Sequence, residues 1–349
     1  MSTPTIPAGN LYMNATLYTG NGTNQTIING VAGQQFTPDM VWIKGRNNTW
    51  SHWLQDSVRG YNYLLVNTTN AESPNSSHSW STSGATTNGF NVYYGDNGSI
   101  NNNGDTYVGW NWKAGGTAVS NTAGTITSQV SANTTSGFSI VTYTGNGTNL
   151  ATVGHGVGAA PYFVIIRRRD TGQNWLVDIS NITGTTGNVL TLNTTNAVVT
   201  STTIAPVKPS STVLTLGTDG LSNASGGTYV AYCWAPIAGY SQFGSYTGNG
   251  SADGPFIYTG FRPRFLMIKS SSQSGTAWLL LDSSRDPYNQ GSDGLQANSS
   301  NADSLIYYFD FLSNGFKIRQ TTGYDMNNSG QTYIYAAFAE VPFKFANGR

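Results

Sequence analysis

The chain is short of charge. Of its 349 residues only 9% are Asp, Glu, Lys or Arg, and the 16 basic and 16 acidic side chains cancel. A nucleic-acid surface needs a basic excess to displace counterions, and a membrane-binding helix needs a basic face, so neither partner is expected. There is a single cysteine, Cys233, which excludes a disulfide framework within the chain. It sits in Tyr-Val-Ala-Tyr-Cys-Trp and reads as an inert, buried strand residue. Three histidines, His52, His78 and His155, lie at no metal-ligand spacing, so no metal is expected. Glutamate occurs only at Glu72 and Glu340, a poor basis for the paired carboxylates of a glycosidase. There is no Gly-x-Ser-x-Gly elbow, P-loop or dinucleotide fingerprint, and hence no catalytic residue or cofactor is expected. The longest apolar runs, such as Tyr162 to Ile166, are too short to span a bilayer. The opening Met-Ser-Thr-Pro-Thr-Ile-Pro lacks a basic segment followed by an apolar run, so synthesis and assembly in a cytoplasm are expected.

What is abundant is Gly, Asn, Ser, Thr and Tyr, a composition of short strands and tight turns. Tyr-Thr-Gly-Asn-Gly begins at Tyr18, Tyr143 and Tyr246. Tyr and Thr suit a strand, and Gly-Asn-Gly suits a turn that needs positive φ. Each copy is followed by a strand introduced by Pro38, Pro161 or Pro263, at offsets of 20, 18 and 17 residues. An Asn-rich turn starts 29, 32 and 35 residues later, at Asn67, Asn193 and Asn298. Each unit ends in a Thr-Tyr strand, at Thr106, Thr228 and Thr332. Landmarks in one order at near-equal spacing predict an internal triplication. No segment has the period and caps of an amphipathic helix. The fold class is therefore all-β, with three tandem antiparallel β-sandwich, jelly-roll-like units over 1–114, 137–238 and 239–349 and a linker at 115–136. Strands such as Val164-Ile165-Ile166 and Leu279-Leu280-Leu281 are apolar on consecutive positions, which predicts cover on both faces by neighbouring units or subunits.

Residues present in every unit are most simply scaffold. Asp56, Asp178 and Asp282, each following a Trp-initiated strand, are read in that way rather than as catalytic acids. Asp96 to Asp105 loosely follows a calcium loop without its terminal Glu and reads as a turn. Arg167-Arg168-Arg169 reads as a solvated strand end, the alternative being pairing with acidic groups on a neighbouring subunit. Residues that the units do not share are freer to act. These are His78 and Trp80 in a Ser/Thr-rich insert, then Tyr93, Tyr94 and Asp96, and Tyr307 and Tyr308 in the third unit. Aromatic rings beside Asn and Asp suit a sugar ligand, since rings stack on apolar sugar faces and amides bond hydroxyls. The alternative is that these rings pack beneath loops or at a subunit contact.

Taken together, Tyr-Thr-Gly-Asn-Gly, Phe-x-Pro-x-x-Val-x-Ile-Lys, Asp56-Ser57-Val58-Arg59-Gly60, Asn-Thr-Thr-Asn-Ala-Glu and Gly-x-Thr-Tyr-Val-x-x-x-Trp resemble a repeated β-rich domain of tailed bacteriophages. That domain is met in tail-fibre and other virion proteins, notably of aquatic phages. The resemblance covers nearly the whole chain and implies a non-enzymatic virion component, with no functional residues to carry over. The second unit departs from it, with Val198 where Glu72 and Asp303 stand and no Gly-Phe strand before Val213. The expected function is an exposed fibre or adhesin component contributing to host attachment. Alternatives are a head decoration or head-fibre protein and, less favoured, a polysaccharide-degrading tail enzyme. Expected partners are other virion proteins, further copies of the chain in a homo-oligomer with a trimer favoured, and a host surface glycan.

Overall fold

A computed structural model describes residues 9–30, 35–74, 88–93, 99–323 and 325–339. Nearly all regular structure is antiparallel β-sheet. The first unit holds β1 (Met13–Thr19), β2 (Gln25–Ile28), β3 (Met40–Gly45), β4 (Trp53–Asp56), β5 (Leu64–Leu65), β6 (Gly89–Val92) and β7 (Thr106–Trp112). The second holds β8 (Val119–Asn121), β9 (Ser128–Asn133), β10 (Phe138–Thr144), β11 (Ala151–Gly154), β12 (Phe163–Arg168) and β13 (Leu176–Asp178). It continues with the one-turn helix α1 (Ser180–Thr183), β14 (Asn188–Thr191), β15 (Val199–Thr200), β16 (Val213–Leu216) and β17 (Thr228–Trp234). The third holds β18 (Ser241–Thr247), β19 (Phe256–Tyr258), β20 (Pro263–Ser270), β21 (Leu279–Asp282), β22 (Leu295–Gln296), β23 (Phe309–Leu312), β24 (Gly315–Ile318) and β25 (Thr332–Ala339). Among the described residues no helix is long and apolar enough to cross a membrane.

One strand order recurs in the three main sheets. It reads β1-β7-β3-β4-β5 in the first unit and β18-β25-β20-β21-β22 in the third. The second unit has the same core order, β10-β17-β12-β13-β14, with β15 added at one edge and β9-β8 at the other. A smaller sheet packs on each: β2-β6, β11-β16 and β19-β24-β23. Residues 115–136, expected as a linker, thus carry two strands, and β9 pairs along β10 with Ala132 opposite Ser139.

The Tyr-Thr-Gly-Asn-Gly copies share one structural role. Tyr18, Tyr143 and Tyr246 stack on Tyr107, Tyr229 and Tyr333 with centroids 5.1 Å apart in each unit. Their hydroxyls donate to the carbonyls of Ile100, Ser222 and Met326, each at 2.7 Å. A buried amide, that of Asn101, Asn223 or Asn327, accepts from the backbone N–H of Asn21, Asn146 or Asn249. The first glycine is required by close approach: a Cβ on Gly20, Gly145 or Gly248 would stand 2.1, 2.5 or 2.4 Å from a backbone oxygen. The second, Gly22, Gly147 or Gly250, has φ between 65° and 70°, where other residues are strained. The pentapeptide therefore ties the end of one strand to the loop that precedes the unit's last strand.

The three main sheets do not form separate cores. Trp112, Trp234 and Phe338 occupy the same place in their units, opposite Met40, Phe163 and Phe265. Their rings form a near-equilateral triangle with centroid separations of 5.9, 5.7 and 6.4 Å. Trp42, Ile165 and Met267, again equivalent, line the same centre. Strands such as β3 are buried on both faces, with Met40 and Trp42 toward this shared centre and Val41 and Ile43 toward the smaller sheet. The consecutive apolar positions noted in the sequence follow from that double cover.

The units also bond in a closed ring. Trp175 donates its indole N–H to Leu65 O at 3.2 Å, and Trp278 donates to Thr191 O at 2.9 Å. His52 completes the circuit, its Nε2 lying 3.0 Å from Gln296 O. Because Nδ1 of His52 accepts from the Trp42 indole at 2.9 Å, the ring proton belongs on Nε2, and the histidine acts as the two tryptophans do. Three backbone N–H bonds of 2.8 Å run the opposite way round the ring, from Glu72 to Arg169, Val198 to Ser271 and Asp303 to Arg46. With one core shared by all units, unfolding is expected as a single transition, coincident by tryptophan fluorescence and far-UV circular dichroism. Trp234→Ala should lower the stability of the whole chain by about 3–5 kcal/mol in urea titration; separable transitions for the three units would contradict the shared core.

Candidate functional site

The acidic residues divide between junctions and surface. At the junction of the first and second units, Arg59 Nε donates to Asp56 at 2.6 Å and its Nη1 donates to Glu72 at 2.7 Å. Arg169 reaches the same Glu72 at 2.8 Å, and the Tyr232 hydroxyl donates to Asp56 at 2.7 Å. At the junction of the third and first units, Arg285 bonds Asp282 at 2.7 Å and Asp303 at 2.6 Å, while Arg46 bonds Asp303 at 2.8 Å. The Trp110 indole, equivalent to Tyr232, donates to Asp282 at 3.0 Å. Burial alone would push the Asp282 carboxyl up, but Arg285 and these donors hold it below the usual carboxylate range. Among the described residues the junction of the second and third units has no ion pair: Ile179, Ile182, Val198, Ser271 and Ala336 stand at the corresponding places. The arginine run is not a solvated strand end but is bonded within the chain. Arg167 is buried and donates to Gln173 O, Thr69 O and Asn70 O, while Arg168 pairs with Asp170.

The reading of Asp56, Asp178 and Asp282 as one set needs correction. Asp56 lies opposite Met40 and Asp282 opposite Phe265, but Asp178 lies opposite Val164, one position beyond the equivalent Phe163. Trp175 is the counterpart of His52 and Trp278, not of Trp53, and Ile179 takes the place of the aspartate. A shift of one residue in a strand turns the side chain to the other face. Asp178 therefore faces the second unit's own inter-sheet core, where burial pushes its carboxyl up to about 6 against bonds from Ser180.

Other polar groups are occupied. Burial pushes His52 and His155 below the ordinary histidine value, and pushes the Cys233 thiol up to about 12. Asp105 accepts from Asn48, Asn102 and Trp50. Among the described residues no three of His, Cys, Asp and Glu gather as metal ligands.

Of the residues singled out for ligand binding, His78, Trp80, Tyr94 and Asp96 lie outside the described residues. Tyr93 is half-buried, with its hydroxyl 3.4 Å from the Asn91 amide. Tyr307 and Tyr308 part company. Tyr307 is buried and its hydroxyl accepts from Gln296 at 2.6 Å, so it is a packing residue. Tyr308 is 40% exposed and flanks the outer face of the β19-β24-β23 sheet.

That face also presents Phe256 and Tyr258, 46% and 62% exposed, on either side of the buried Ile257. Phe256 lies opposite Lys317, which lies opposite Asp310. Lys317 pairs with Asp253 at 2.7 Å, and Arg319 with Asp310 at 2.6 Å. The equivalent outward positions of the first unit carry Thr26 and Asn91, bonded to each other at 2.7 Å, and those of the second carry Thr152 and Thr215. Phe256 and Tyr258 are thus the outward strand positions that set the third unit apart, whereas Tyr307, in a loop that the units do not share, is buried.

Residues 8–342 match the model of a domain of unknown function, DUF7483, and the chain belongs to that family. No curated protein and no solved structure matches the chain.

Two substitutions separate the roles of the buried charges. Arg285→Ala strands Asp282 and Asp303 and should cost about 3–5 kcal/mol by chemical denaturation. Asp178→Asn should act in the opposite sense. A folded-state value of about 6 against 3.8 unfolded means the folded chain holds the proton longer, so this group's contribution falls as pH rises from about 4 to 6. The variant should be more stable than the parent by about 1–3 kcal/mol at pH 8 and close to it at pH 4, as read from denaturation at both pH values.

Proposed function

We propose that the chain is an exposed structural component of a tailed-phage particle, of fibre or adhesin type, that contributes to host attachment. It takes its place beside other virion proteins after assembly in the host cytoplasm, and its three units descend from one by internal triplication. The observation that carries this reading is the outer face of the third unit, where Phe256, Tyr258 and Lys317 stand in place of Thr26, Ile28 and Asn91 in the first unit and Thr152, Gly154 and Thr215 in the second. A rigid ring of three similar units that differ in one exposed face suits display rather than turnover. The best-placed buried acids, Asp56 and Asp282, are committed to Arg59 and Arg285, which favours a structural role over a polysaccharide-degrading one. The apolar strand faces, expected to be covered by neighbouring units or subunits, are covered by neighbouring units of the same chain, so a homo-oligomer would have to use other surfaces.

Labelling the intact particle with antibody to this chain, or resolving it by cryo-electron microscopy, tests the proposal. Density on the tail or its fibres is the expected outcome. Density on the head would replace the attachment reading with decoration, and absence from the particle would end both.

A further inference from the structure

We infer that the outer face of the β19-β24-β23 sheet binds a neutral saccharide, an inference that rests on the attachment reading and names its ligand class. Strand alternation sorts the side chains: Phe256, Tyr258, Tyr308, Asp310, Lys317 and Arg319 point outward, while Ile257, Phe309, Phe311, Phe316 and Ile318 enter the core. Gly315 lies opposite Tyr258, and a Cβ there would stand 2.1 Å from Ile257 O and 3.0 Å from the Phe256 ring, so the glycine lets the ring and the neighbouring strand close over it. Phe256 on β19 is level with Asp310 on β23, two strand spacings away, and Tyr308 lies two residues further along, so the three rings span roughly 12 to 17 Å, the length of about two or three pyranose rings. Between them lie Lys317 and Arg319, held in place by Asp253 and Asp310. These charges balance, so an anionic or cationic ligand would have to break an existing pair, whereas hydroxyl groups can bond to fixed donors and acceptors without doing so. The apolar C–H faces of a sugar ring match the exposed aromatic rings. Neither other unit has this combination.

The test uses the full chain, with a panel of neutral oligomers of glucose, galactose, mannose and N-acetylglucosamine beside sialylated and sulfated oligosaccharides. Binding to at least one neutral oligomer is expected by calorimetry, weakened at least tenfold by Tyr258→Ala and by Phe256→Ala. Both residues are exposed, so the variants should keep the parent's melting temperature. Ile28→Ala, at the equivalent place in the first unit, should leave binding unchanged. No binding to any neutral oligomer, preference for the acidic ones, or binding indifferent to Tyr258→Ala would overturn the inference. Adsorption assays separate it from the attachment reading. If free protein blocks phage adsorption and Tyr258→Ala protein blocks equally well, attachment stands and this site falls. If the face binds sugar but the protein does not block adsorption, the site stands and the attachment reading falls.

Discussion

The contact of Trp112, Trp234 and Phe338 organises the molecule. Each ring comes from the last strand of its unit, and each covers apolar surface that its own unit cannot bury. A β-sheet with two apolar faces needs a layer on both sides. The smaller sheet supplies one layer, and the other two units supply the second. Main-sheet strands therefore read as continuous apolar runs instead of alternating ones.

Around this centre, the same junction is built three times with different chemistry. Indole or imidazole N–H groups reach the preceding unit's carbonyls at all three. Two junctions add an arginine shared between carboxylates, and the third substitutes Val198 and Ser271. Buried ion pairs contribute little net stability when complete but are costly to break, and their geometry is specific. Two junctions with ion pairs and one without, among the described residues, distinguish neighbours that are otherwise alike, which disfavours pairing the units in the wrong order.

Differences among the units also locate the candidate site. Equivalent positions under equal structural constraint carry Thr26, Thr152 and Phe256 on their outward faces. Nothing in the packing of the third unit calls for an exposed ring there, since Ile257 already fills the inward position. Tyr307 shows the reverse case: it is unshared too, yet its ring is spent on packing and its hydroxyl on Gln296.

The sequence by itself determined the β class, the thrice-repeated order of landmarks, the turn role of Gly-Asn-Gly and the double cover of the central strands. These are local matters of propensity, positive φ and hydrophobic period. Only the tertiary structure decided that the units close into a ring on one core and that residues 115–136 belong to a sheet. It also decided that Asp178 faces away from its apparent counterparts, because strand register is set by pairing partners and a slip of one residue leaves the composition unchanged. Exposure of Phe256 and burial of Tyr307 were equally undecidable from the chain, since an aromatic ring suits either side of a sheet until its neighbours are placed.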